Sequence, residues 1–410
     1  MTLPSAKPAI LSLQFYAYPD AIGGAWKYTH EVNRRLVERG WPVHLITCKP
    51  DGSFKDTETI DGVTFHRLSA TDARQFFRLG RRVNRAIKRI DEETRIGLVH
   101  VHNPLIGYLG LKNSLLDDAI KVIHIHSLWQ DEERINRLGP EVLPGMFSPT
   151  WWRLQAIRYM EWCEFRRADS CLFLSEYMRQ SFLDYFPFKK PRLRVIPGGV
   201  DIEHFRPLAP DQSAESLRDR LSLPVDQPVL LTVRRMEARM GLDRLIDAMK
   251  IVKDRKPEQP FKLIMIGKGS LREELIKRAQ DLGLGESVLF PGEVSDDDLK
   301  AYYQMANVFI LPTVELEGFG LSTVEALACG LPAIGTQVGG TVEILKPLDE
   351  RLLFSGTSAE CMAQRIEVFL EDPEPFRKLK PACRELVESR YGWEQVVDRI
   401  EEEFRLLLKR

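Results

Sequence analysis

Several features that would narrow the field are missing from this 410-residue sequence. No apolar run approaches the roughly 20 residues that a bilayer-spanning helix needs. The six cysteines (Cys48, Cys163, Cys171, Cys329, Cys361 and Cys383) form no C-x-x-C pair. That pattern points to buried free thiols in a reducing compartment, not to a disulfide framework. Net charge is only −1, so the basic field that nucleic-acid binding requires is lacking, and nucleic acid is not an expected partner. No G-x-G-x-x-G follows the first predicted strand, which argues against a dinucleotide oxidoreductase. The eight histidines show no metal-ligand spacing backed by carboxylates or cysteines. His100/His102 and His124/His126 fall on predicted strands, where alternation puts each pair on one face, and no metal is assigned. The first eight residues lack the apolar core of a secretory signal, so a cytoplasmic location is expected.

What is present is a repeated β-α rhythm. The predicted strands of the first half are Ala9–Phe15, Val43–Thr47, Val63–Arg67, Gly97–Val101, Lys121–His126, Cys171–Leu174 and Leu193–Ile196. Helical stretches lie between most of them, such as Gly24 to Arg39, closed by Gly40. A long segment rich in Trp and Arg, Gln130 to Ala168, is expected to hold helices. A second series begins at Val229–Val233 and continues with Lys262–Ile266, Val288–Phe290, Val308–Leu311 and Pro332–Gly335. Two such series predict an α/β protein with two Rossmann-like parallel-sheet domains facing each other across a cleft. The expected domains are 1–205, on the acceptor side, and 206–392, on the donor side. A final helix, 393–410, is expected to pack back toward the first. Charge is uneven: 29 Lys and Arg against 24 Asp and Glu in residues 1–205, and 29 against 35 in the remainder. The first half is therefore the one expected to meet an anionic surface or substrate.

Ligands of open parallel sheets sit at the carboxyl ends of strands, which directs attention to three loops of the second half. The strand ending at Leu311 runs into Glu317, Gly318, Phe319, Gly320 and Leu321, then a helix carrying Glu325. Glycines there let backbone approach a ligand, and the amides at the helix start suit a diphosphate. Glu325, one turn past Leu321, is placed to accept hydrogen bonds from a polyol such as a ribose. Arg234, Arg235 and Arg239 cluster after Val233, where guanidinium groups can grip phosphate oxygens. Gly267 and Gly269 end a further strand. In the first half, Gly23 and Gly24 lie between strand one and its helix, and His102 and His126 each follow a strand. Asp296, Asp297 and Asp298 resemble a carboxylate cluster, but they follow Ser295 and read as a capped helix start.

Together these residues resemble the retaining glycosyltransferases of family 4, which have the GT-B fold. The match runs over nearly the whole chain. Its most specific part is Glu317 and Glu325 with Gly318-Phe319-Gly320 between them and the stretch through Pro332 after. Gly23-Gly24, Val99–His102, His126, Ile196–Asp201, Arg235 to Gly241 and Phe290–Val294 support it. The resemblance implies roles. Gly24 and the amides of Gly320 and Leu321 would hold a donor diphosphate, with Arg235 as a cation. Glu325 would bind the ribose, and Val294 would meet the base through its backbone. Glu317 would contact sugar hydroxyls, and His126 would sit over the donor sugar. It further implies transfer from a nucleoside-diphosphate sugar to a sugar or lipid-linked acceptor, with no cofactor and no metal.

The sequence departs from the family at Met240, where a lysine is usual, and at Pro197-Gly198-Gly199, where Pro-Asn-Gly is usual. Met240 cannot neutralise a phosphate; Arg239 and Arg234 are the available substitutes. A non-catalytic nucleotide-sugar-binding subunit and a GT-B-shaped sugar-nucleotide epimerase are the alternatives. Residues 74–90 interleave Arg74, Arg78, Arg81, Arg82, Arg85, Lys88 and Arg89 with apolar residues. Such a pattern is first that of a Rossmann helix with one buried and one solvated side, and it also suits peripheral contact with an anionic inner-membrane face.

Overall fold

The computed structural model describes residues 7–69, 78–187, 191–209, 211–221 and 223–409. These form two compact units. One takes in the chain up to Glu133, Pro144–Gly198 and Trp393 onward; the other takes in Arg134–Leu143 and Gly199–Gly392.

The first unit is built on an eight-stranded sheet in the order β3-β4-β2-β1-β5-β6-β7-β8. In chain order its strands are β1 (Ala9–Leu13), β2 (Val43–Cys48), β3 (Thr57–Ile60), β4 (Val63–Leu68), β5 (Ile96–Val101), β6 (Ile120–Ile125), β7 (Ser170–Phe173) and β8 (Arg192–Val195). All neighbours are parallel except β3 and β4. Strands β1 and β7 are buried along their whole length, and β5 at every residue but Gly97, because helices cover both faces. The seven expected strands are all present. The edge strand β3 is additional, joined to β4 by Asp61 and Gly62, both at positive φ (49° and 77°). An Asp-Gly pair between extended runs is a strong hairpin signal.

Two helices bear on earlier expectations. The helix Leu79–Glu93 turns Leu79, Val83, Ile87 and Ile90 into the core. Arg81, Arg85, Lys88 and Arg89 face solvent, together with Glu92 and Glu93 at its end. Its apolar side is therefore not available to enter a membrane; Arg74, Phe76 and Phe77 lie outside the described residues. The C-terminal helix, Trp393–Leu408, packs within this first unit. Trp393 meets Tyr28, Glu401 accepts from Lys7 Nζ and Trp41 Nε1 (2.7 and 2.9 Å), and Glu403 accepts from Ser170 Oγ at 2.9 Å.

The second unit holds a five-stranded parallel sheet in the order β11-β10-β9-β12-β13. Its strands are β9 (Val229–Val233), β10 (Lys262–Ile266), β11 (Val288–Gly292), β12 (Val308–Leu311) and β13 (Ala333–Gly335). Strand order reverses between β9 and β12, so their carboxyl ends open a crevice where two loops diverge.

Candidate functional site

The crevice is walled by loops whose glycines allow backbone to meet backbone. After β9 the chain runs through Arg234 and Arg235 to a short turn, Ala238–Met240, and then Gly241. Gly241 has φ +68° and starts the helix Leu242–Arg255. A Cβ there would lie 2.1 Å from the carbonyl oxygen of Pro312, so only glycine lets this loop dock on the one after β12. Arg239 secures the contact from both ends. Its carbonyl accepts from Val314 N (2.9 Å) and its Nη1 donates to Leu316 O (2.6 Å). At the end of β10, Gly267 (φ +134°) brings the chain against Arg234, where a Cβ would come within 2.0 Å of the carbonyl oxygen.

Glu317 is fixed between these loops. Its carboxylate Oε2 accepts from Arg234 Nη2 (2.5 Å) and from Thr313 Oγ1 (2.8 Å). The same Arg234 nitrogen also reaches Thr313 Oγ1 (2.9 Å) and the sulfur of Met240 (2.8 Å). Burial alone would push the Glu317 carboxyl up, but Arg234, Arg239 and Thr313 together hold it below the usual range. It is therefore a carboxylate at neutral pH. The preceding residue, Leu316, has φ +59°, a conformation that costs a bulky side chain energy and that the surrounding bonds impose.

The helix Leu321–Ala328 starts at Gly320, whose φ is +101°. Its first amides have no acceptor within the helix and carry the positive end of its dipole. One turn on, Glu325 accepts from the Tyr303 hydroxyl at 2.9 Å. Burial and then the Glu325 charge drive the Tyr303 phenol well up, so it stays protonated and donates. Gly318 lies beside Phe319, whose ring turns inward against Tyr391 (centroids 5.5 Å); Phe319 can therefore offer a ligand only backbone. Val294 is half-buried just past β11, whose Gly292 carbonyl accepts from Gly267 N at 2.9 Å.

The structure redistributes the three arginines. The sequence suggested Arg234 as an added phosphate charge, but its guanidinium is engaged with Glu317, and that of Arg239 with a carbonyl. Arg235 is exposed, and its guanidinium makes no hydrogen bond or ion pair among the described residues. Met240 is buried, so the position where a lysine was expected faces the interior beside Arg234. Tyr303 and Thr313 escaped the sequence reading. Asp296–Asp298 open a helix whose Ser295 hydroxyl accepts from Asp298 N, as expected for a cap.

In the first unit, Gly23 precedes the helix Gly24–Glu38, and a Cβ on it would meet the Trp26 ring at 2.8 Å. His126, just beyond β6, is half-buried. It stacks on His124 (centroids 5.1 Å, 9° between planes), and its Nε2 lies 3.4 Å from Nδ1 of His102. Burial lowers its pKa to about 4, so the ring is neutral at pH 7 and acts as a hydrogen-bonding group. His100, lowered to about 3 by burial and the His126 charge, completes the group.

Two family models match the chain. Residues 213–386 match Glycosyl transferases group 1, and residues 22–204 match Glycosyltransferase Family 4. Among curated relatives, the GDP-mannose-dependent alpha-(1-6)-phosphatidylinositol monomannoside mannosyltransferase of Mycolicibacterium smegmatis is 31% identical over 233 residues. That alignment takes in 55% of this chain and 59% of the relative, so it spans less than two thirds of the relative's length. D-inositol 3-phosphate glycosyltransferase 1 of Catenulispora acidiphila is 27% identical over 92% of this chain and 89% of its own. Among solved structures, sucrose-phosphate synthase from Thermosynechococcus elongatus superposes with a TM-score of 0.83 at 25% identity, covering 98% of this chain and 100% of that one. HepE of Anabaena in complex with UDP-glucose gives 0.74 at 19% identity, over 97% and 99%; at that identity the likeness concerns the fold.

Proposed function

We propose that the chain is a glycosyltransferase of the family 4 type, as the two family models that match its halves support, and that it transfers a sugar from a nucleoside-diphosphate sugar to a hydroxyl acceptor, with retention of anomeric configuration. The observation that carries the proposal is the carboxylate of Glu317, held ionised by Arg234 beside the start of the helix Leu321–Ala328. In this reading the amides of Gly320 and Leu321 and the unpaired guanidinium of Arg235 take the diphosphate. Glu325, oriented by Tyr303, takes the ribose, and Gly267 and Val294 lie toward the base. Glu317 contacts hydroxyls of the sugar. The resemblance also assigns Gly23, Gly24 and His126 to the donor. The departing diphosphate gathers negative charge as the glycosidic bond breaks, and preorganised amides and a cation stabilise that charge. These groups make a divalent metal at the diphosphate unnecessary in this scheme. No glycosidase-type carboxylate pair is proposed. Attack is from the leaving-group side, and the phosphate oxygen takes the acceptor's proton.

Relatives named for GDP-mannose and a structure holding UDP-glucose make hexose donors of both bases the first to try. The acceptor is a glycan, a lipid-linked glycan or a small polyol. If it is lipid-linked, attraction to an anionic bilayer rests on the basic face of Leu79–Glu93 and falls with added salt. NMR of the anomeric proton in the product tests the scheme: an α-linked donor gives an α-linked product, and inversion refutes it. A non-catalytic nucleotide-sugar binder is the second reading, favoured by the buried, uncharged Met240. Release of free labelled sugar from a turnover-competent donor excludes it.

A further inference from the structure

The first unit contains a second concentration of chemistry, of which the donor reading uses only His126. Strands β5 and β6 are adjacent and parallel, with His100 opposite Val122 and Val101 opposite Ile123. That register brings His100 and His102 from one strand against His124 and His126 from the next. The rings of His100 and His102 are 4.0 Å apart by centroid, and His102 and His124 stack at 5.6 Å with 16° between planes.

These imidazoles are buried and unsatisfied. Among the described residues, both nitrogens of His100, both of His124 and Nε2 of His102 have no hydrogen-bond partner. His100 is fully enclosed, His124 is 2% exposed and His102 is 5% exposed. Each orphaned buried polar group costs about 1–3 kcal/mol, so three neighbouring rings with orphaned nitrogens ask for a partner that can take one nitrogen from each. One ligand nitrogen from each of His100, His102 and His124 falls within 4.8 Å of the other two. A tetrahedral zinc with bonds of about 2.0–2.1 Å holds its nitrogens ~3.4 Å apart, so small ring rotations suffice to close the set. No carboxylate or thiolate is among these ligand groups, which selects a borderline transition ion over magnesium or calcium. The Tyr28 hydroxyl is also buried without a partner among the described residues, and its ring packs edge-on against His124 and His126.

We propose that His100, His102 and His124 form a structural site for one divalent transition-metal ion, zinc in the first instance, inside the first unit. The three ligand residues are not among those assigned to the donor, and the site does not depend on the function proposed above. An ion on Nε2 of His102 leaves its proton on Nδ1. That N–H then donates to Nε2 of His126 and fixes the tautomer of the exposed end of the cluster.

The test uses the whole chain, produced in zinc-supplemented medium and dialysed, with metal content read by mass spectrometry. The same protein is then stripped with a chelator and offered Co(II). The proposal predicts about one zinc per chain, visible d–d absorption of a tetrahedral cobalt site, and a raised melting temperature on metal addition. His124→Phe keeps an aromatic ring in the stack and should weaken binding about 10-fold or more. Background metal content in the wild-type protein, with neither a cobalt band nor a thermal shift, overturns the proposal in favour of buried water. Cobalt binding by His124→Phe equal to wild type overturns it as well, because the ion then lies elsewhere.

Discussion

Arg234 and Glu317, 83 residues apart in sequence, meet in a 2.5 Å ion pair in which both side chains are more than nine tenths removed from solvent. Removing one partner of such a pair leaves an uncompensated buried charge, at a cost of about 3–5 kcal/mol. Arg234→Met should therefore lower the melting temperature strongly. It should also shift the acid limb of stability. In the wild type the Glu317 pKa is depressed, so its contribution is present above the unfolded carboxyl pKa and is lost as pH falls through the folded one. Without Arg234, burial dominates and the pKa rises above the unfolded value, so this acid loss disappears and stability instead falls as pH climbs through the raised pKa. Melting temperatures of both proteins across the acid range check this; parallel curves contradict it.

Gly241→Ala places a side chain at φ +68° and 2.1 Å from Pro312 O. The left-handed backbone alone costs about 1–2 kcal/mol, and the carbonyl must move, carrying the Glu317 loop with it. The expected result is a lower melting temperature together with a raised KM for the donor. A fall in stability with an unchanged KM would show that the loop contact is only structural.

Tyr303→Phe deletes the hydroxyl that orients Glu325. A hydrogen bond to a charged group contributes about 1.5–3 kcal/mol, and the freed carboxylate should hold a ribose less well. Weaker binding of a nucleoside diphosphate, by calorimetry, is expected, with little change for inorganic diphosphate, which has no ribose. Equal loss for both ligands would place Glu325 elsewhere.

Glu161, on the helix Pro149–Phe165, accepts from Trp129 N at 2.6 Å and is pushed up to about 8 by burial. A carboxyl whose folded pKa is raised loses stability as pH climbs from its unfolded value through the folded one. Glu161→Gln keeps an acceptor and removes the titration. The variant should match wild type near pH 5 and melt higher near pH 9. An identical pH dependence in both proteins counts against a buried neutral acid.

The strands were legible because β-branched runs between turn signals mark buried parallel strands, and the donor loop because glycines and glutamates fall at a strand end. The hairpin strand β3 went unread despite its Asp61-Gly62 turn, since Thr57–Ile60 is short and mostly polar. The arginine assignment depended on facts that sequence does not carry. Arg234 and Arg235 are neighbours, and chain alternation sends one inward and the other to solvent. Which is which follows from Glu317 on the facing loop and Met240 on its own. The histidine pairs were each visible on one face, but their convergence needed β5 and β6 to be neighbours. Tyr303 reached Glu325 from a helix whose sequence advertised only its acidic cap.

The central claim is that a nucleoside-diphosphate sugar binds at the crevice and that Arg235, exposed and unpaired among the described residues, grips its diphosphate. The most direct measurement is thermal shift and calorimetry with UDP-, GDP-, ADP- and dTDP-sugars on wild-type and Arg235→Ala protein. At least one donor should raise the wild-type melting temperature. The variant, unchanged in unliganded stability because Arg235 is exposed, should bind that donor about 10-fold or more weakly, as expected for a charged hydrogen bond of ~1.5–3 kcal/mol. A panel in which no nucleotide sugar stabilises the protein, or an Arg235→Ala variant that binds as tightly as wild type, contradicts the account.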